Sequence, residues 1–415
     1  MASSSAKAVS KNSGGGVLGF LRALEIDLRL LGMLVALIVV WVVLNIMTNN
    51  IFLTPRNLWN LAVQSSVTAI VATGMVFVIV MRHIDLSVGS VLGFTGMFMA
   101  VMQARVFPIN ASWNWFVVLL LGLALGAVIG AFQGYWIAYQ GIPAFIVTLA
   151  GLLIFRGGAW LLGQGQTIAP INNTFKLLGG GINGSIGFTW SWIVGALAVA
   201  GILFTAYRAR SKRAALGFPV KPLWAEILVT GAAVAFVLAF VQVMNSYDRP
   251  RTDIPQGIPI PVLILIGVAL LMTAVARLTK FGRYIYAMGG SPEAAELAGI
   301  STKRMTLYVF MLIGTLSALA GAVATARLNS GVNSTGTLTE LYVIAAAVIG
   351  GTSLAGGFGT IIGAVMGAVF MQSLQNGMVL LGYTSAMQQV IIGGVLIVAV
   401  WIDVVYRRRS GMEDS

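Results

Sequence analysis

The sequence predicts an all-α, polytopic bundle that crosses a membrane about twelve times, and three observations carry that prediction. Hydrophobic residues make up 58% of the 415 and charged residues only 9%, against about 25% charged in soluble domains. The charge is crowded, so that residues 106–155, 177–206, 305–326 and 341–402 contain no Asp, Glu, Lys or Arg. One span needs roughly 20 apolar residues, so stretches of that length hold several. The third observation is the one-sided placing of the basic residues along the spans.

Apolar runs broken by polar, Gly and Pro clusters place spans at 30–46, 61–81, 86–102, 113–139, 144–162 and 189–206, then at 224–244, 261–276, 305–326, 341–350, 360–380 and 387–402. Residues 1–16, rich in Ser, Gly and Lys without an apolar core, read as a disordered cytoplasmic tail rather than a cleaved signal. The expected organisation is a cytoplasmic tail over 1–29, a membrane domain over 30–404 and a cytoplasmic tail over 405–415.

Basic residues near span ends are retained on the cytoplasmic side. With the N-terminus inside, that side holds Lys7, Lys11, Arg22, Arg29, Arg82, Arg208, Arg210, Lys212, Arg213, Lys221, Arg277, Lys280, Arg283, Lys303, Arg304 and Arg407 to Arg409. The other side holds only Arg56, Arg105, Lys176, Arg249, Arg251 and Arg327, which leaves Arg156. Both termini are therefore expected in the cytoplasm. The run 341–350 is too short to cross alone and leads into the glycine-rich 350–359, as a half-length helix lining a cavity would.

A short internal match, Gly126-Ala-Val-Ile-Gly130-Ala with Gly363-Ala-Val-Met-Gly367-Ala, fits either an inverted repeat or two tightly packed small-residue faces. No cysteine and a single histidine exclude disulfides and leave no set for a metal centre. The net charge of +13 marks cytoplasmic loops and anionic lipid rather than nucleic acid.

The most informative cytoplasmic stretch is 278–304. Ser291 suits an N-cap, Pro292 the first helical position, Glu293 the positive end of the helix dipole, and Gly299 the C-terminal cap. Ala294 and Ala295 propagate a helix of two turns. A plain connection has no need of such a feature, whereas a partner protein can grip it.

Here Gly282-Arg-x-Ile-Tyr-Ala-x-Gly-Gly-x-x-Glu-Ala-Ala-x-Leu-x-Gly-Ile300 resembles the coupling segment of ATP-binding-cassette sugar importer permeases of the ribose/xylose type. Three other segments, Ile84-Asp-Leu-Ser-Val-Gly-Ser90, 143–158 with its Phe155-Arg-Gly, and Val348-Ile-Gly-Gly-Thr-Ser-Leu-Ala-Gly-Gly357, are similar to further signatures of that family. The resemblance runs from about Asn57 to Asp403. It implies that Gly289, Gly290, Ser291, Pro292, Glu293, Ala294, Ala295, Leu297 and Gly299 dock in a cleft of an ATPase subunit. It also implies a permease homodimer, ATP and Mg on the ATPase chains, a periplasmic sugar-binding protein and a bacterial inner-membrane location. This chain has no Gly-x-x-x-x-Gly-Lys-Ser/Thr phosphate loop and is expected to bind no cofactor itself.

Within these motifs Asp85, beside Arg82 and His83, reads as an ion pair or a cap, and Asp85 with Ser87 is expected to cap the helix that carries Gly89. His83 alone reads as a surface histidine. Arg156 falls near the middle of a span and faces either a wet pathway or neighbouring carbonyls, unless its helix begins later than drawn. Gly350, Gly351, Ser353, Gly356 and Gly357 point to close helix approach or an unwound turn. Small polar groups suited to a sugar pathway are Gln64, Ser65, Ser66, Thr68, Thr148, Gln372, Gln375 and Asn376. Arg56, Arg249, Arg251 and Arg327 are candidate docking charges for the binding protein.

Residues 191–244 add two spans around a basic turn, an insertion that xylose-type permeases share and ribose-type ones lack. D-xylose is thus the expected sugar, with ribose or another pentose or hexose as the alternative. A proton- or sodium-driven transporter would need an intramembrane acid, and both Asp85 and Glu340 are expected at span ends. An enzyme would need a catalytic set, which the sequence lacks.

Overall fold

The computed structural model describes residues 28–409. Most of the predicted N-terminal tail, with Lys7, Lys11 and Arg22, lies outside the described residues, as do residues 410–415. The helices are α1 (Leu28–Met47), α2 (Pro55–Val80), α3 (Val88–Val101), α4 (Asn114–Ala138), α5 (Ala144–Gly163), the short α6 (Asn173–Lys176), α7 (Gly187–Ala215) and α8 (Leu223–Asn245). They continue as α9 (Ile260–Leu278), α10 (Lys280–Gly290), α11 (Pro292–Leu297), α12 (Thr302–Leu328), α13 (Thr339–Ile349), α14 (Ile361–Leu380) and α15 (Ser385–Arg409). Among the described residues there are isolated β-bridges but no strands. Among the described residues eight helices, namely α1, α2, α4, α5, α7, α8, α9 and α12, are long and apolar enough to cross a membrane.

Every predicted span meets a helix, but two helices are short. At 1.5 Å per residue the 14 residues of α3 and the 11 of α13 rise only about 21 and 16 Å, against about 30 Å of hydrocarbon. For α13 this matches the truncated apolar run. The expected span 86–102 is met by α3, while the polar stretch 81–87 before it is not helical, because Arg82 takes a left-handed φ of 64° just after α2. Beyond α3 the chain winds through a π-helical turn, Met102–Val106.

The centre is formed by α2 and α12, which lie against each other. In α2 nearly every residue is buried, Ala69 to Ala72 and Met75 to Val78 completely. Around this pair, α4 and α3 pack on α12, while α14 and α13 pack on α2. The glycines of the internal match set the approach: Gly126 and Gly130 press on the carbonyls of Gly314 and Phe310, and Gly363 and Gly367 on those of Gly350 and Ala346. A Cβ at any of the four would overlap a backbone carbonyl, which is how small residues let helices touch in a lipid environment.

The insertion forms a hairpin of α7 and α8 at the periphery. It joins the core through Trp59 and Val63 of α2 against Val241 and Met244 of α8, and Ser191 Oγ accepts from the Ile258 amide at 2.9 Å. Elsewhere the hairpin exposes Leu197, Ile227 and Phe236, side chains that face lipid rather than water. At its basic tip Arg210 pairs with Glu226.

Candidate coupling face and substrate cavity

The stretch 278–304 folds as two helices rather than one. Thr279 Oγ1 accepts from the Gly282 amide at 3.2 Å and starts α10, which residue-by-residue cap signals after Ser291 did not reveal. Ile285 and Met288 bury its apolar face. Ser291 Oγ accepts from the Ala294 amide at 3.2 Å, Pro292 opens α11, and the chain leaves through Gly299 at φ 82°. Ala295 anchors α11 to the core, whereas Leu297 is 91% exposed. The short helix therefore turns Glu293, Ala294, Glu296 and Leu297 outward.

Two of the sequence motifs and the end of α2 converge directly behind α11. Arg82 at the end of α2 donates through Nε to the Gly289 carbonyl at 3.0 Å and through Nη2 to the Gly290 carbonyl at 2.7 Å. The Gly357 amide donates to the Val80 carbonyl at 3.0 Å. Gly289 is wedged so closely between Val80 and Gly357 that a Cβ would overlap both. In the loop between α13 and α14, Gly351, Gly356 and Gly357 all have positive φ, a conformation that glycine adopts without steric cost. The Ser353 amide donates to the Phe358 carbonyl at 2.9 Å and closes the loop.

Arg82 is thus committed to backbone carbonyls and not to Asp85. The Asp85 carboxylate, 2% exposed, accepts from the Ser87 amide at 2.8 Å and the Ser87 hydroxyl at 2.7 Å. The expected capping by Ser87 is corrected, since its hydroxyl faces Asp85 and the Gln133 amide group, 3.0 Å away, and makes no cap bond to α3. His83 is half-buried, with its ring 6.0 Å from that of Phe310.

The first turns of α3 and α13 meet inside the bundle. Gly89 abuts the Gly336 carbonyl and the Glu340 carboxylate with no room for a Cβ. Since α13 ends beside the coupling face about 16 Å from Glu340, while α2 runs about 39 Å, Glu340 sits near mid-depth. Both acids are buried at the starts of the two short helices, Asp85 three residues before α3 and Glu340 in the first turn of α13, which follows a run of turns. Arg156 lies well inside α5, so its helix does not begin later than drawn. It donates to the Thr335 carbonyl at 3.2 Å, the Gly336 carbonyl at 3.1 Å and Thr337 Oγ1 at 2.9 Å, holding the re-entrant stretch before α13.

Next to that stretch lies a cavity of about 370 Å³. Gln64, Thr68, Gln372, Gln375 and Asn376 of the predicted pathway residues line it, on α2 and α14. Gln372 Nε2 donates to Gln64 Oε1 at 3.3 Å and to Gln375 Oε1 at 3.0 Å, and Asn57 Nδ2 donates to Asn376 Oδ1 at 2.9 Å. Ser65, Ser66 and Thr148 do not reach the cavity. Residues 64 and 68 share one helix face, and 65 and 66 turn away from it by about 100° and 200°. Ser66 and Thr148 instead donate to the Ala62 and Ala144 carbonyls, each at 2.8 Å. Arg327, expected as an outer docking charge, stands in the cavity wall with Tyr342.

Long apolar helices around a polar, half-helix-lined cavity define a multi-pass membrane transport protein. Residues 57–400 match the family described as branched-chain amino acid transport system / permease component, and the chain belongs to that family. It is 39% identical over 380 residues to the xylose transport system permease protein XylH of Haemophilus influenzae, covering 91% of this chain and 97% of that protein. It is 38% identical over 393 residues to XylH of Escherichia coli K12, covering 94% and 96%. The ribose import permease protein RbsC of Escherichia coli K12 is 34% identical over 370 residues, covering 89% and 92%. These relatives are transport permeases and not enzymes. No solved structure matches the chain.

Proposed function

We propose that the chain is the membrane-spanning permease of an ATP-driven importer that carries D-xylose into the bacterial cytoplasm across the inner membrane. The observation that carries this reading is the direct bonding of the coupling segment to Arg82 after α2 and to the α13–α14 loop, together with a polar cavity of sugar size farther along α2. A second copy of the permease, cytoplasmic ATP-binding subunits holding ATP and Mg, a periplasmic sugar-binding protein and membrane lipid complete the system. ATP binding would close the ATPase clefts on α11, Arg82 would pass the displacement to α2, and the half-helices α3 and α13 would reorient beside the cavity. Sugar would then pass inward by alternating access.

The corresponding topology places both termini in the cytoplasm, with twelve crossings over 30–404, two of them completed by a half-helix and an irregular stretch. The matched order of α2 to α5 and α12 to α15, with α4 on α12 and α14 on α2, supports an inverted repeat. The hairpin α7–α8 over 191–244 supports xylose over ribose because xylose-type permeases share it, not because it touches sugar. The buried acids Asp85 and Glu340 favour one second reading, ion-coupled sugar transport. Uptake of labelled xylose and ribose by cells carrying the chain with its partners separates the two. ATP-dependent xylose uptake that is lost in Glu293→Arg and with an ATPase-dead partner supports the importer. Uptake that ignores the ATPase and collapses with an uncoupler rejects it.

A further inference from the structure

Arg327 is the one charged side chain on the cavity wall, and it is unlike Arg156 on α5. Arg156 spends its guanidinium on three groups of the re-entrant stretch. Among the described residues Arg327 has no hydrogen bond or ion pair, although its side chain is open to the cavity. Its main chain, by contrast, is clamped: Gly179 packs on the Arg327 backbone so closely that a Cβ there would overlap it. The base of the side chain is fixed and its fork is free.

No acid lines the cavity, and the remaining polar wall is amide and hydroxyl, including Gln372, Gln375 and Tyr342. A guanidinium presents paired N–H donors in one plane, which match two acceptors held side by side. Adjacent hydroxyls of a sugar ring are such a pair. We propose that Arg327 is a specificity-determining contact of the permease, donating to vicinal hydroxyls of the sugar from the end of α12. This rests on the importer reading above.

The test uses the complete importer in proteoliposomes, with each sugar saturating for the binding protein. Uptake of labelled xylose is compared with that of 2-, 3- and 4-deoxyxylose in wild type and Arg327→Gln. Loss of a hydrogen bond from a charged group predicts a roughly tenfold slower xylose uptake. The deoxy sugar lacking the contacted hydroxyl, already slow in wild type, should fall little further. The binding-protein concentration that half-stimulates ATPase activity should stay unchanged. Arg327→Lys, which keeps the charge without the fork, should resemble Arg327→Gln and serves if the glutamine variant does not assemble.

An equal loss for all four sugars with a raised half-stimulating concentration makes Arg327 a docking charge and overturns the assignment. Xylose uptake at the wild-type rate in either variant overturns it too. A wild type that moves no sugar with ATP would instead remove the importer reading itself.

Discussion

Gly89 cannot carry a side chain, because a Cβ would meet the Gly336 carbonyl and the Glu340 carboxylate where two half-helices touch. Gly89→Ala is expected to cost about 1–3 kcal/mol through overpacking, measured as a lowered thermal midpoint in detergent, while alanine at Gly290, where nothing lies within 4 Å, should leave it unmoved. Arg156→Leu removes the donors to the Thr335 and Gly336 carbonyls that tether the stretch before α13, at about 1–3 kcal/mol. A melt identical to wild type would mean that those carbonyls find other donors. The sequence singled out Arg156 by its position, whereas Arg327 was legible only as a candidate docking charge: a basic residue at a span end looks solvated until the fold sets a cavity beside it. Gln64 and Thr68 were legible as a pair at helical spacing, and Ser65 and Ser66 were not separable from them without knowing which face turns inward.

At the scale of elements, α11 was written out by its caps, since Ser291, Pro292 and Gly299 each have a local reason to stand where they do. Its exposed Leu297 touches little of this chain, so Leu297→Asp should abolish sugar uptake and ATPase stimulation while changing stability by no more than about 0.5 kcal/mol. A parallel fall in the thermal midpoint would show that Leu297 is structural. Ser291→Ala should loosen the same helix by about 1 kcal/mol, seen as faster proteolysis or amide exchange confined to 291–299. The separate helix α10 was not readable in advance. Residues 81–87 are unwound by the left-handed turn at Arg82 and the Asp85–Ser87 turn, and their polar residues Arg82, His83, Asp85 and Ser87 already mark the break between two spans.

For the whole molecule, the absence of cysteine makes the topology directly testable. Single cysteines at Arg251, between α8 and α9, and at Glu293, on α11, should react with an impermeant thiol reagent from opposite faces of the membrane, and labelling of both from one face would reject the proposed twelve crossings. The count of apolar runs and the one-sided basic residues made the bundle legible, whereas the meeting of two distant motifs at Arg82 depends on contacts more than 200 residues apart in sequence. That clasp has a consequence for evolution. Arg82 grips the main-chain oxygens of Gly289 and Gly290 and no side chain of α11, so the outward residues of α11 are free to change with a new ATPase while the mechanical tie to the membrane core persists. The docking helix is in effect an exchangeable plug on a fixed socket.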